Sequence, residues 1–141
     1  MSKLNWKGDA VLSQAETAMA NALGTFGLRV EGEAKKELWV GHGVDTGTLQ
    51  RSIHTAPPSY VWSADNIPRR ASTPERGGRF VRAVKISATM TLLVGSGMAY
   101  ALWVHQGGSG FTGYHYLTNG LARAQPDFPA ILLAEFSKDF K

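Results

Sequence analysis

The stretch "VDTGTLQRSI", residues 44–53, decides the order of elements along this chain of 141 residues. It brings an acid, a hydroxyl, a glycine and an arginine close together and ends on an apolar residue. Asp45 or Thr46 can accept backbone N–H bonds as a helix N-cap, and Gly47 allows a tight turn into a short helix over "TLQRSI". We therefore interpret the stretch as a structural junction that ends one helix and begins the next element.

An Asp-Thr-Gly triplet is also typical of aspartic proteases, in which two carboxylates share one proton. The chain contains no second copy of the triplet, and a helical pattern precedes it instead of an apolar strand. We expect capping from Asp45, and no catalysis.

Upstream of the junction, residues 9–39 have the spacing of a long amphipathic helix. Its apolar residues recur every three or four positions and share one face: Val11, Ala15, Ala18, Ala22, Phe26, Val30, Ala34 and Leu38. Gly24, Gly27 and Gly32 each cost about 1 kcal/mol relative to alanine inside a helix, so the pattern allows a kink or break.

Downstream, the net charge of the chain lies in one segment. Residues 57–85 carry six basic and two acidic side chains, which equals the +4 of the whole chain. Prolines divide this segment, and loops longer than about 12–15 residues are usually functional or disordered. We predict an extended basic arm over residues 57–79 that contacts a neighbouring subunit or DNA; a solvated loop is the alternative. The contact residues would be Arg69, Arg70, Arg76, Arg79 and Arg82.

The rest of the chain predicts an α+β fold. "FVRAVKISA" and "MTLLVGS" read as two antiparallel strands joined at residues 88–91, with residues 52–56 and 60–62 as candidates for a third strand. "AYALWVHQG" favours a short helix, and two C-terminal helices follow. We predict one domain over residues 1–141, with the long N-terminal helix packed on a small antiparallel sheet.

Composition excludes several classes of protein. The chain has no cysteine, so it forms no disulfide and no thiolate metal site. Its first residues, "MSKLNWKGDA", lack the apolar core of a signal peptide, and no run reaches the roughly 20 apolar residues of a membrane span. We expect a soluble intracellular protein.

No motif predicts a cofactor, a metal or a catalytic residue. "GSGFTG", residues 108–113, matches a dinucleotide-binding pattern, but the chain is too short after it for a doubly wound sheet. The four histidines lack the i, i+4 spacing of metal sites, and Ser96 lacks the first glycine of a nucleophile elbow. We expect a protein that is not an enzyme.

Several short motifs resemble, in order, those of the neck and tail-completion (head–tail joining) proteins of lambdoid HK-type siphophages. The family shows an amphipathic helix ending in "EAK", the junction signature, a hairpin ending in Val-Gly, and a Tyr-Ala pair. The matching residues are "GEAKKEL", Val44-Asp45-Thr46-Gly47, Leu49, Arg51-Ser52-Ile53, Val94-Gly95 and Tyr100-Ala101. Gly43 stands where the family often has proline, and "VHQGGSG" replaces the usual Glu-x-Gly-Thr.

The resemblance implies a virion structural protein made in the host bacterial cytoplasm. Such a subunit assembles into a homo-oligomeric ring, a hexamer or dodecamer, between the head-closure or connector protein and the tail tube or tail terminator protein. Contact with genomic DNA in the channel is possible in such a ring. The alternative from a different class is a small basic nucleic-acid-binding protein that uses the arginine-rich arm.

Overall fold

The computed structural model describes residues 8–40, 43–44, 48–65, 76–98, 100–108 and 111–139. Its elements in chain order are α1 (Gly8–Lys36), β1 (Trp39–Val40), β2 (Gly43–Val44), α2 (Thr48–Ser52), β3 (His54–Ala56), β4 (Val84–Ile86), β5 (Thr89–Thr91), β6 (Leu93–Gly95), α3 (Ala101–Gln106), β7 (Gly107–Gly108), β8 (Phe111–Thr112), α4 (Tyr116–Ala124) and α5 (Phe128–Asp139). Short 3-10 turns cover Trp62–Asp65 and Gln125–Asp127. Within these ranges, no helix combines the length and apolar character that crossing a bilayer requires.

The predicted α+β class is confirmed. The long helix α1 packs against both C-terminal helices, α4 and α5, and against strands β3 and β6. The strands form two-stranded pairs instead of the one small sheet that we predicted: β1 pairs with β2 in parallel, and β3–β6, β4–β5 and β7–β8 are antiparallel. The C-terminal helices lie close to their predicted ranges, as does the short helix α3.

The strand pairing joins two parts of the chain that are far apart in sequence. Strand β3 begins right after the junction and pairs with β6, so that His54 faces Gly95 and Ala56 faces Leu93. The third strand predicted at residues 52–56 is therefore present, whereas residues 60–62 form no strand and lead into a 3-10 turn.

Strands β4 and β5 form a hairpin that turns at Ser87 and Ala88. The turn falls earlier than the predicted join at residues 88–91, because Ser87 takes a left-handed backbone conformation with φ of 55°. Such a conformation is typical of tight hairpin turns.

The break that the glycines allowed in α1 does not occur, since the helix runs unbroken from Gly8 to Lys36. A Cβ atom at Gly24 would lie 2.6 Å from the Val81 carbonyl oxygen, and one at Gly27 would lie 2.7 Å from the Leu92 side chain. These two glycines let neighbouring chain segments cross the helix at close range. They are sites of packing and do not interrupt the helix.

The core lies where α1 ends and the junction, α3 and α4 meet. Tyr116 is its largest side chain, and the Tyr116 hydroxyl donates a hydrogen bond to the Ala101 carbonyl oxygen at 3.0 Å. The predicted apolar stripe is buried along the middle and end of α1, but Val11 near its start is exposed. The clustered core residues are Ala34, Leu38, Leu49, Ile53, Met98, Ala101, Val104 and Tyr116.

Candidate functional site

The junction holds the end of α1 through a residue that the sequence analysis did not single out. The Gln50 side-chain amide donates to the Lys35 carbonyl oxygen at 3.0 Å and to the Leu38 carbonyl oxygen at 2.9 Å. The last carbonyls of a helix lack partners within the helix, and an unpaired buried carbonyl is costly. Gln50 therefore caps α1 from the next helix along the chain.

Ser52 and Ile53 connect the junction to the sheet. Ile53 is fully buried between α2 and β3. The buried Ser52 hydroxyl donates to the Leu49 carbonyl oxygen at 2.6 Å and lies 2.6 Å from the Ser96 hydroxyl oxygen. The Ser96 oxygen in turn accepts a hydrogen bond from the Met98 backbone N–H at 3.2 Å. This serine pair fixes the start of β3 beside the end of β6.

The structure brings most of the predicted junction residues that it describes into one place. Leu49 and Ala101 are buried in the core, and Tyr100 packs against it. Val44 forms part of the short strand β2. Asp45, Thr46 and Gly47 lie outside the described residues, so their predicted capping role stays a prediction.

The backbone of Arg51 connects the junction to the predicted arm. Its carbonyl oxygen accepts a hydrogen bond from the Arg76 backbone N–H at 3.0 Å, which attaches the far end of the predicted arm to the junction.

Both described ends of the predicted arm pack on the domain. At the distal end, the Gly78 backbone N–H donates to the buried Glu31 carboxylate at 2.7 Å, and the Thr55 hydroxyl donates to the Arg79 carbonyl oxygen at 3.4 Å. At the proximal end, Asp65 is 2% exposed. The described parts of the predicted arm therefore contact the domain at Asp65, Gly78 and Arg79, and an extended arm over residues 57–79 stays a prediction.

The five predicted contact arginines divide accordingly. Arg76 forms an ion pair with Asp65 at 3.3 Å, whereas Arg79 and Arg82 are exposed. Arg69 and Arg70 lie outside the described residues. The ion pair holds Asp65 and Arg76, which flank residues 66–75, beside each other.

Asp65 is the centre of a polar cluster that the sequence analysis missed. One carboxylate oxygen lies 2.6 Å from His54 Nε2, and the other accepts a hydrogen bond from the Tyr60 hydroxyl at 2.5 Å. The rings of His54, Tyr60 and Trp62 pack together with centroids 4.8–5.1 Å apart. In the sequence analysis, Asp65 was only one of the two acidic residues counted in residues 57–85. No spacing in the sequence pairs it with His54.

The cluster keeps Asp65 ionised. Burial acts to raise the pKa of Asp65, but hydrogen bonds from Tyr60 and His54, together with the nearby charges of His54 and Arg76, outweigh it and lower that pKa below its ordinary value. The hydrogen bond to Asp65 and burial raise the pKa of Tyr60. The ionised Asp65 carboxylate therefore attaches the start of the proline-rich segment to His54 of β3 and to Arg76.

The β4–β5 hairpin presents an apolar face to solvent. The Lys85 ammonium binds the Glu16 carboxylate of α1 at 2.6 Å, so Lys85 points towards the domain. Side chains alternate along a strand, and Val84 and Ile86 therefore lie on the outer face, where they are 42% and 50% exposed. Phe80, just before the strand, is also half exposed. Among the described strands, β4 pairs only with β5.

The histidines that the structure describes do not form a metal site. No group of three potential ligands occurs within the described ranges. His105 and His115 lie ring to ring at 5.4 Å, and burial together with the His115 charge lowers the pKa of His105. His105 Nε2 lies 3.2 Å from the Thr118 hydroxyl, which places it at the start of α4.

Comparison of the chain with protein-family models, curated proteins and solved structures finds no match.

Proposed function

We propose that this chain is a non-enzymatic virion structural protein of the phage neck. It is a ring-forming head–tail joining or tail-completion subunit that lies between the head connector and the tail tube. The motif order supports this function, and so does the way in which the motifs pack: the Leu49–Ile53 stretch, Ser96 and Ala101 meet in one core. The protein would act by assembly and would reside in the virion.

The outer face of the hairpin carries the proposal. A two-stranded hairpin is marginally stable by itself, and an open edge strand is a surface on which another chain can pair. Among the described strands, β4 pairs only with β5, and Val84 and Ile86 are exposed. Burying such half-exposed aliphatic side chains at an interface stabilises it by about 1 kcal/mol each. A neighbouring subunit would cover this face.

A head-to-tail ring also requires a second surface that differs from the first. A partly open apolar groove of about 560 Å³ lies between α1, β5 and α4, with Phe26, Leu117 and Leu121 among its lining residues. We assign the groove to the opposite side of the repeated interface.

The same observations favour assembly over nucleic-acid binding. Two of the basic side chains in residues 57–85 are neutralised within the chain, Arg76 by Asp65 and Lys85 by Glu16. Salt-dependent DNA affinity grows with the number of unpaired cations that face phosphates. Arg79 and Arg82 remain exposed and could line a channel that DNA passes through.

Light scattering on a sizing column tests the ring. We expect wild-type protein to reach the mass of a hexamer or dodecamer of 15.2 kDa subunits. The double variant Val84→Ser/Ile86→Ser should elute as a folded monomer, and so should Leu121→Ser. Leu133→Ser on α5, which changes another exposed leucine, is the matched control and should assemble normally.

Mixing the two monomeric variants separates a head-to-tail interface from a symmetric one. Each variant keeps one intact surface, so an equimolar mixture should form a heterodimer and stop there. A wild-type protein that stays monomeric at every concentration, or a hairpin variant that still assembles, would contradict the proposal.

A further inference from the structure

A cation-rich cavity of about 300 Å³ lies between β3 and residues 76–81. His54, Tyr60, Arg76 and Arg79 all line this cavity, and none of its described lining residues is a carboxylate. Asp65 does not line the cavity, but it contacts His54, Tyr60 and Arg76 and so orients these three side chains. Val84 and Ile86 are not among its lining residues, so the cavity is distinct from the hairpin face.

Arg76 has a donor without a partner. Its Nη1 binds Asp65 at 3.3 Å, but its Nε–H is buried and meets no acceptor among the described residues. An unpaired buried N–H is unfavourable, because the group has lost water without gaining a protein acceptor. A guanidinium fork presents neighbouring N–H groups that match the two oxygens of one planar anion.

Arg79 adds a charge that has no ion-pair partner among the described residues. Its guanidinium forms no ion pair there, whereas Asp65 is paired with Arg76 and His54, and Glu31 is paired with Lys35 at 3.7 Å. Arg79 lines the cavity, so an anion bound there would meet this arginine.

We propose that this cavity is a carboxylate-binding site, in which the Arg76 and Arg79 guanidinium groups donate to a single carboxylate. A carboxylate would give Arg79 the anionic partner that the described residues do not provide. A phosphate dianion would bring a second negative charge against the apolar wall that Ala56, Pro57 and Val81 form. The carboxylate belongs either to an acidic side chain of a neighbouring copy or to a small free acid. The site does not depend on ring formation, so either proposal can fail alone.

Thermal unfolding of the full chain with sodium propionate as the probe tests the site. Titration to about 100 mM propionate, against sodium chloride at matched ionic strength, should raise the midpoint of wild-type unfolding along a saturating curve, because a ligand of the native state stabilises it. Arg79→Gln should abolish most of this rise. Arg82→Gln is the matched control: it removes the same charge from an exposed neighbour outside the cavity, and it should keep the full rise.

Arg76→Lys tests the Arg76 guanidinium, since lysine keeps the charge next to Asp65 but lacks the planar fork of N–H groups. We expect this variant to fold and to lose most of the propionate effect. Equal midpoints in propionate and chloride for the wild type, or an undiminished rise in Arg79→Gln, would overturn the proposal. A larger rise with inorganic phosphate than with propionate would overturn the carboxylate assignment.

The solution mass of the assembly that Arg79→Gln forms, measured by light scattering, distinguishes the two sources of the carboxylate. A smaller assembly than that of the wild type would assign the carboxylate to a neighbouring copy. Equal assemblies would assign it to a free acid.

Discussion

Residues 48–56 and residues 80–91 are two stretches of similar length that differ sharply in burial. The first runs from α2 into β3, and most of its side chains are buried, with Ile53 fully enclosed. The second forms the hairpin, and almost all of its side chains are half or fully exposed. Each stretch contains one isoleucine, a residue type that is usually buried. The difference teaches that apolar content alone does not tell whether a segment stabilises its own domain or is available to another.

The sharpest test of this contrast replaces one isoleucine in each stretch. Ile53→Ala should lower the free energy of unfolding by about 3–5 kcal/mol, because it leaves a cavity in a closed core. Ile86→Ala should change it by less than about 0.5 kcal/mol in the monomer. Urea denaturation measures both free energies of unfolding when each substitution is made in a variant that stays monomeric. Equal losses at the two positions would remove the distinction.

Asp65 gives the next largest effect. Asp65→Asn should cost about 3 kcal/mol at neutral pH, since His54 and Arg76 would lose a buried anion. The folded-state pKa of Asp65 is lowered, so its contribution is present above the unfolded pKa and is lost as pH falls through the folded value.

Denaturation between about pH 7 and pH 2 should therefore show a stability loss in the wild type that is smaller in Asp65→Asn. Asp127→Asn, at an exposed ion pair with Arg29, is the control and should change stability little at either pH. Parallel curves for wild type and Asp65→Asn would show that the cluster does not stabilise the fold.

Two glycines of α1 should respond in opposite directions to alanine. Gly24→Ala places a Cβ 2.6 Å from a backbone carbonyl, and we expect a loss of about 1–3 kcal/mol. Gly32→Ala meets nothing within 4 Å and should gain up to about 1 kcal/mol from helix propensity. Thermal unfolding compares them directly; a stabilised Gly24→Ala would mean that the crossing at Val81 is looser than described.

The smallest expected effect on stability comes from residues 66–75, the middle of the predicted arm. Replacing residues 66–75 with a short Gly-Ser linker should change the free energy of unfolding by less than about 1 kcal/mol, because Asp65 and Arg76 already hold the ends together. Assembly measured by light scattering should weaken if the arm contacts a neighbour. Deleting residues 65–79 instead should unfold the protein, since it also removes Asp65 and the Gly78 contact with Glu31.

The sequence was informative where one residue's role follows from its immediate neighbours. Periodicity located α1 and the C-terminal helices, and the motif around Ile53 located the turn from helix to strand. Two features had no local signal: the Gln50 cap on Lys35 and the contact of His54 with Asp65. Both depend on side chains that meet only after the chain has folded. The sequence allowed a break at Gly24, and the packing of Gly24 against Val81 had no local signal because the two residues are remote in sequence.

The pairing of β3 with β6, and of α1 with the two C-terminal helices, also constrains when the subunit can form. His54 meets Gly95 across 41 positions, and Ala34 meets Gly120 across 86. Contacts between such distant residues form late and slow folding. A chain still being synthesised lacks the helical partners of α1 until the segment beyond Tyr116 has emerged from the ribosome. We therefore expect each copy to complete the packing of α1 only after α5 has been translated, which delays any pairing between half-made copies on neighbouring ribosomes.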